Sequence, residues 1–321
     1  MRISELSVEY QGRGNNRVLA VDNASLSVPK VGYTLAVVGE SGSGKTTLGM
    51  SLMNLIESPG RITHGRIEFA EKNILDMDDS ELRRFRWREV SMIHQSAMNS
   101  LNPVETISGH IVEVLREHTD ATKSEAKEKA SNLLGKVGIK EERIDDFPHE
   151  FSGGMRQRVV IAMALALSPK LLIADEPTSA LDVVVQKQIL ALLQRQVKER
   201  NLSLLFITHE IALLKGLVEE VAVMFRGEIV EKGPTSKVLF GPLHPYTEML
   251  LGSLLTLDSG RQAVRGKRIT REETEESGLG EGDNYCKYAG RCKYVFDRCR
   301  RERPVLTEVE TGRWVACHKY A

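Results

Sequence analysis

The stretch Gly39-Glu40-Ser41-Gly42-Ser43-Gly44-Lys45-Thr46-Thr47 constrains this chain more than any other. It follows the apolar run Leu35-Ala36-Val37-Val38, so that Tyr33 to Gly39 reads as a buried strand, and it opens into a helical stretch from Lys45. Strand, glycine-rich loop and helix in that order predict a phosphate-binding loop. Small residues let backbone N–H groups close around phosphate oxygens at a helix N-terminus. Lys45 is placed to neutralise β- and γ-phosphates, and the Thr46 hydroxyl to join the hard oxygen ligands of Mg²⁺.

Two further apolar runs end in polar residues. Leu171 to Ala174 runs into Asp175 and Glu176, and Leu204 to Thr208 runs into His209. Such runs suit parallel strands buried on both faces, with ligands beyond their carboxyl ends. Alone, Asp175 and Glu176 read as an ordinary acidic strand end. With a phosphate loop upstream, Asp175 becomes a Mg²⁺ holder, usually through water, and Glu176 a base for an attacking water. Between Gln95 and Pro169 the pattern turns helical, with Ile111, Val114 and Leu115, then Ala126, Ala130, Leu133 and Leu134, at three- and four-residue spacing. Within it, Phe151-Ser152-Gly153-Gly154-Met155-Arg156 offers a serine helix cap and two glycines that leave N–H groups open, a second anion site.

The 321 residues allow one large domain plus an appendage. Lys and Arg balance Asp and Glu at 44 each, so charge gives no argument for nucleic acid or for an anionic membrane surface. The longest apolar run, Val159 to Ala174, is broken by Ser168, Pro169 and Lys170, short of the roughly 20 residues a membrane helix needs. The N-terminus enters directly into the alternation Ile3, Leu6, Val8, Tyr10 with no leader pattern, and a cytoplasmic location is expected. From Asp258 to Asp283 apolar residues thin out in favour of Gly, Glu and Arg, the composition of a linker. All four cysteines, Cys286, Cys292, Cys299 and Cys317, follow it. They form a set of soft ligands on a segment too short to bury its own core. Their spacing indicates metal without saying which: structural zinc favours tighter pairs, and the common ferredoxin spacings differ too. Buried free thiols are the other reading.

The phosphate loop, the Ser152-Gly153-Gly154 signature and the carboxylate pair followed by Ser179, Ala180, Leu181 and Asp182 together resemble the ATP-binding cassette family. Gln95 and His209 fall where that family has its Q-loop and its switch histidine, and the resemblance covers about residues 1 to 250. It implies an α/β P-loop NTPase core over residues 1–235, with an inserted helical subdomain at about 96–165 and a Cys-rich C-terminal module within 236–321. It also implies ATP held between the phosphate loop of one subunit and the signature of another. Ser152 and Gly154 would contact the γ-phosphate, Gln95 would sense it and contribute to the Mg²⁺ site, Glu176 would activate water, and His209 would hold the γ-phosphate. Tyr10 is the candidate adenine-stacking residue, with a strand aromatic as the other reading. DNA-repair and chromosome-structure relatives carry a long coiled coil between phosphate loop and signature, and translation-factor relatives carry two cassettes. This chain has neither feature.

The stretches PHEFSGGMRQRVVIAMALALSP, SMIHQSAMNSLNPV and HPYTEMLL resemble the oligopeptide and dipeptide importer ATPases. Met155 resembles their D-type subunit, which pairs with a related F-type subunit. The implied partners are therefore that second ATPase, two transmembrane permease subunits and, indirectly, an external binding protein, at the cytoplasmic face of the membrane and without nucleic acid. The same branch includes oligosaccharide and nickel importers. His94, Ser96 and Ala97 depart from the branch pattern around Gln95, which puts the coupling partner rather than hydrolysis in question. The segment CKYAGRCKYVFDRCRRERP with WVACH resembles the branch's C-terminal module, which in some members holds a [4Fe-4S] cluster. That resemblance implies Cys286, Cys292, Cys299 and Cys317 as cluster ligands, with Zn²⁺ as the alternative.

Overall fold

The computed structural model describes residues 1–12, 16–95, 97–258 and 284–321. Ser96 and nearly all of the expected linker lie outside the described residues, and of 253–258 only the backbone is considered. The described chain forms strands β1 (Arg2–Gln11), β2 (Arg17–Ser27), β3 (Thr34–Val38), β4 (Gly60–Phe69), β5 (Lys72–Asn73), β6 (Val90–Ile93), β7 (Leu171–Asp175), β8 (Ser203–Thr208), β9 (Glu220–Phe225), β10 (Glu228–Pro234), β11 (Thr307–Glu310) and β12 (Arg313–Val315). Its helices are α1 (Lys45–Ser51), α2 (Asp79–Phe85), α3 (Ile107–His118), α4 (Lys123–Lys136), α5 (Gly153–Ala164), α6 (Val183–Arg200), α7 (Thr235–Phe240), α8 (Pro245–Asp258) and α9 (Asp297–Arg301).

The three apolar runs read as buried strands are β3, β7 and β8, and they pair in parallel with one another, flanked by β6 and β9. Successive side chains of a strand point to opposite faces, and β3 divides accordingly. Leu35 and Val37 join a core shared with the antiparallel sheet β2-β1-β4-β5, while Ala36 and Val38 join the core under α3 to α6. Burial on both faces explains why these strands are apolar throughout rather than alternating.

In β1 the buried residues are Ile3, Leu6 and Val8, which strict alternation would not place on one face. Glu5 adopts φ 52°, and the register with β2 shifts between Ile3 and Leu6. This irregularity turns Leu6 inward beside Ile3. The helical stretch begins at α3, capped by Thr106 on the Gly109 N–H, and α4 opens on a capping box between Thr122 and Glu125. Ala126, Ala130, Leu133 and Leu134 of α4 are all buried, as the spacing predicts.

The C-terminal segment does not stand apart from the core. β12 pairs antiparallel with β10, Glu231 opposite Val315 and Lys232 opposite Trp314, and β11 closes that edge. Glu231 is fully buried, accepts the N–H groups of Leu243 and His244 at 2.9 Å, and is paired with buried Arg313 at 3.2 Å. Among the described residues no helix is long and apolar enough to cross a membrane.

Candidate functional site

The loop after β3 is shaped by glycines at positions where no other residue fits. A Cβ on Gly39 would overlap the Met224 carbonyl, and one on Gly44 would overlap the Ala20 carbonyl at φ 101°. Gly42 also has positive φ, at 77°. Gly44 then leads into α1, and Lys45 is 5 % exposed. Its ammonium donates to the carbonyls of Gly39 and Glu40, both at 2.8 Å, and lies 3.4 Å from the Ser43 hydroxyl. Burial lowers its pKa, against which Glu176, Asp175 and Glu40 pull upward. Ser41 and Gly42 are exposed on the loop, and in the first turn of α1 Thr46 is exposed and Thr47 half-buried.

Asp175 ends β7 fully buried, with neither carboxylate oxygen in a hydrogen bond. Burial raises its pKa, and the nearby Thr46 hydroxyl opposes this without reaching hydrogen-bond geometry. An orphaned carboxylate beside a threonine hydroxyl at the mouth of a phosphate loop fits Mg²⁺, which takes hard oxygen ligands and keeps several waters.

Glu176 has φ 47° and donates its backbone N–H to the Ile207 carbonyl at 2.9 Å, which turns its side chain out of the sheet. Its Oε1 meets His209 Nδ1 at 2.9 Å and its Oε2 accepts from Gln95 Nε2 at 3.3 Å. Three residues from the ends of three parallel strands thus converge, as their sequence positions predict. A carboxylate only accepts, so His209 Nδ1 carries the proton.

The signature residues make their contacts elsewhere. Ser152 caps α5 by accepting the Met155 N–H at 3.4 Å, and Gly154 lies so close to Val185 of α6 that a Cβ would overlap its side chain. Asp182 caps α6 through the Val184 and Val185 N–H groups, both at 3.0 Å. Tyr10 sits half-buried on β1, with its ring against Gly60 and among the apolar residues of the inter-sheet core. That packing matches a strand aromatic.

The four cysteines, free thiols, line one cavity of about 230 Å³ with His244, Tyr288, Phe296 and His318. Among the described residues no group of three His, Cys, Asp or Glu side chains is close enough to hold a single metal ion. Burial pushes Cys286 up to about 12 and also raises Cys292 and Cys317. Against this, the backbone of the residue two positions on, Tyr288, Tyr294 or Lys319, hydrogen-bonds each of the three in the sense that favours the thiolate. His318 faces the Glu302 carbonyl with Nε2 at 2.9 Å, so Nε2 carries the proton. Its buried Nδ1 has no partner.

Sequence reasoning missed the contacts between this module and the phosphate loop. Glu40 receives a two-pronged ion pair from Arg291, and its N–H donates to the Tyr246 hydroxyl at 2.8 Å. Asp22 and Glu228 are held by Lys287 and Arg303. Only an excess of Lys and Arg between the cysteines signalled any of this.

A phosphate loop, an orphaned aspartate and a glutamate shared by glutamine and histidine at the ends of parallel strands define a nucleoside-triphosphate hydrolase of the cassette type. Residues 21–179 match the ABC transporter family and residues 230–299 the C-terminal region of oligopeptide/dipeptide transporters. The dipeptide transport ATP-binding protein DppD of Escherichia coli is 39% identical over 99% of this chain and 96% of its own length. The oligopeptide transport ATP-binding protein AppD of Bacillus subtilis is 40% identical over 97% and 94%. A dimeric post-hydrolysis structure of the ATP-binding cassette MJ0796 bound to ADP and Pi superposes with a TM-score of 0.64 at 26% identity, covering 73% of this chain and 98% of that one. The chain belongs to the ATP-hydrolysing subunits of ABC transporters, and it carries the C-terminal region of the oligopeptide/dipeptide branch.

Proposed function

We propose that this subunit powers import of dipeptides or oligopeptides. The observation that carries the peptide reading is the similarity to DppD and AppD along essentially the whole chain, C-terminal region included. The subunit works at the cytoplasmic face of the membrane, paired with a second ATPase of the F-type and docked on two transmembrane permease subunits, while an external binding protein supplies substrate. Residues 1–235 form the nucleotide-binding domain, with the helical subdomain at about 96–165, and 236–321 form the extension.

In this reading ATP lies between the phosphate loop, residues Gly39 to Thr47, and the partner subunit's signature. Ser152, Gly153 and Gly154 serve the partner's nucleotide in return. Such an arrangement agrees with a Ser152 hydroxyl that caps its own helix, with Gly153 beside Leu181 and Met98 and Gly154 beside Val185. Lys45 neutralises phosphate charge, and Glu176 takes the proton of the attacking water. His209 holds Glu176 in place and contacts the γ-phosphate. Gln95 reports nucleotide state to the permease, and Asp182 lies at the dimer seam. Thr46, Asp175 and Gln95 would hold Mg²⁺, which would supply charge neutralisation on the phosphates.

We further propose that Cys286, Cys292, Cys299 and Cys317 hold a [4Fe-4S] cluster of structural role. Four thiols line one cavity, and the resemblance of the C-terminal segment to the branch's cysteine module is what supports a cluster here, with Zn²⁺ as the alternative.

The test is the ATPase rate of the assembled transporter with its binding protein loaded with a peptide mixture or with oligosaccharides. Stimulation by peptides is expected. Stimulation by sugars alone would keep the motor and overturn the substrate.

A further inference from the structure

We propose that Arg291 is a positioning residue for the nucleotide site: through Glu40 it ties the C-terminal module to the phosphate loop and sets the affinity for ATP. The pair is two-pronged, with Nη1 to Oε2 at 2.9 Å and Nη2 to Oε1 at 2.7 Å, the geometry in which a guanidinium fixes orientation as well as charge. Glu40 stands near the start of the loop, between the glycine that follows β3 and the residues that surround phosphate. Its own carbonyl accepts the Lys45 ammonium at 2.8 Å. A shift of Glu40 is therefore a shift of the catalytic lysine's anchor.

Two other contacts from the C-terminal region act on the same loop. The Tyr246 hydroxyl accepts the Glu40 N–H, and Tyr246 is fully buried against Phe225 and Tyr288, which leaves that acceptor no freedom to follow a moving loop. Lys287 donates to the Arg226 carbonyl at 3.1 Å in the β9–β10 turn, whose Gly227 N–H bonds the Ser43 carbonyl at 2.9 Å. Arg291 holds the Glu40 carboxyl below its usual range, and Glu40 raises the arginine in return. Because the Arg291 and Glu40 side chains are 43 % and 39 % exposed, solvent weakens the pair, and its effect on ATP is a modest one.

The experiment is a double-mutant cycle with Arg291→Ala and Glu40→Gln in the assembled transporter, reading KM for ATP and kcat separately. It uses neither the transported substrate nor the metal content, so its outcome is independent of both. Each single variant is expected to raise KM by about threefold to tenfold with kcat little changed, and the double variant no further than the worse single. Tyr246→Phe, which keeps the ring packing and removes the acceptor, is expected to move KM in the same direction. Arg298→Ala, which breaks a pair internal to the module, is expected to leave KM unchanged. The proposal is overturned if Arg291→Ala leaves KM at the wild-type value, if the two single effects multiply in the double variant, or if Arg298→Ala raises KM as much.

Discussion

His209 Nδ1 and Glu176 Oε1 lie 2.9 Å apart, joining the ends of two adjacent parallel strands through one proton. The arrangement orients the carboxylate while Gln95 holds its other oxygen at 3.3 Å. Replacing His209 with Ala removes the orienting bond without touching the phosphate loop. The ATPase kcat of the assembled transporter is expected to fall by about 10²-fold, with nucleotide binding retained. A variant at the wild-type rate would make the contact structural.

Gly154 and Gly153 are adjacent glycines with opposite tolerance. A methyl group at Gly154 would overlap Val185, whereas one at Gly153 would meet Leu181 at an ordinary 3.6 Å. Gly154→Ala is expected to lower stability by about 1–3 kcal/mol in chemical denaturation, as overpacking does. Gly153→Ala is expected to stay within about 0.5 kcal/mol of wild type. Adding Val185→Ala to Gly154→Ala should recover part of the loss.

Asp22 is a buried anion between Lys287 at 2.6 Å and Arg303 at 3.0 Å. Burial alone would raise its pKa, but the two cations hold it below the ordinary 3.8. A depressed folded pKa contributes stability that is present above about 3.8 and is lost as pH falls through the folded value. Asp22→Asn leaves the cations facing Glu228 alone and is expected to cost about 3 kcal/mol at neutral pH. The acid loss attached to this group should disappear in the same variant. Denaturation followed at several pH values reads both effects.

The cysteine cavity makes a chemical prediction. Protein purified without oxygen is expected to carry about four iron atoms per chain, with a broad absorption that Cys299→Ser weakens. One zinc per chain and no iron would contradict the cluster.

Much of this was legible in the sequence because the residues that do chemistry end strands of continuous apolar character. Leu35 to Val38, Leu171 to Ala174 and Leu204 to Thr208 are local signals, and parallel pairing brings their ends together. What the sequence left hidden depends on contacts between distant segments. No pattern in Trp314 and Val315 announces that they pair with β10, and nothing in Arg291 alone points to Glu40, 251 residues earlier. Ile3, Leu6 and Val8 read as an alternation in the sequence, because a backbone irregularity at Glu5 has no side-chain signature.

The most direct test of the account is Glu176→Gln, which keeps the size of the side chain and one accepting oxygen but removes the base. ATP hydrolysis by the transporter carrying this variant should fall by at least about 10²-fold while ATP accumulates in a closed, stable ATPase dimer. Turnover near the wild-type rate, with no trapped nucleotide, would contradict the assignment of Glu176 as the base and with it the mechanism built around this site.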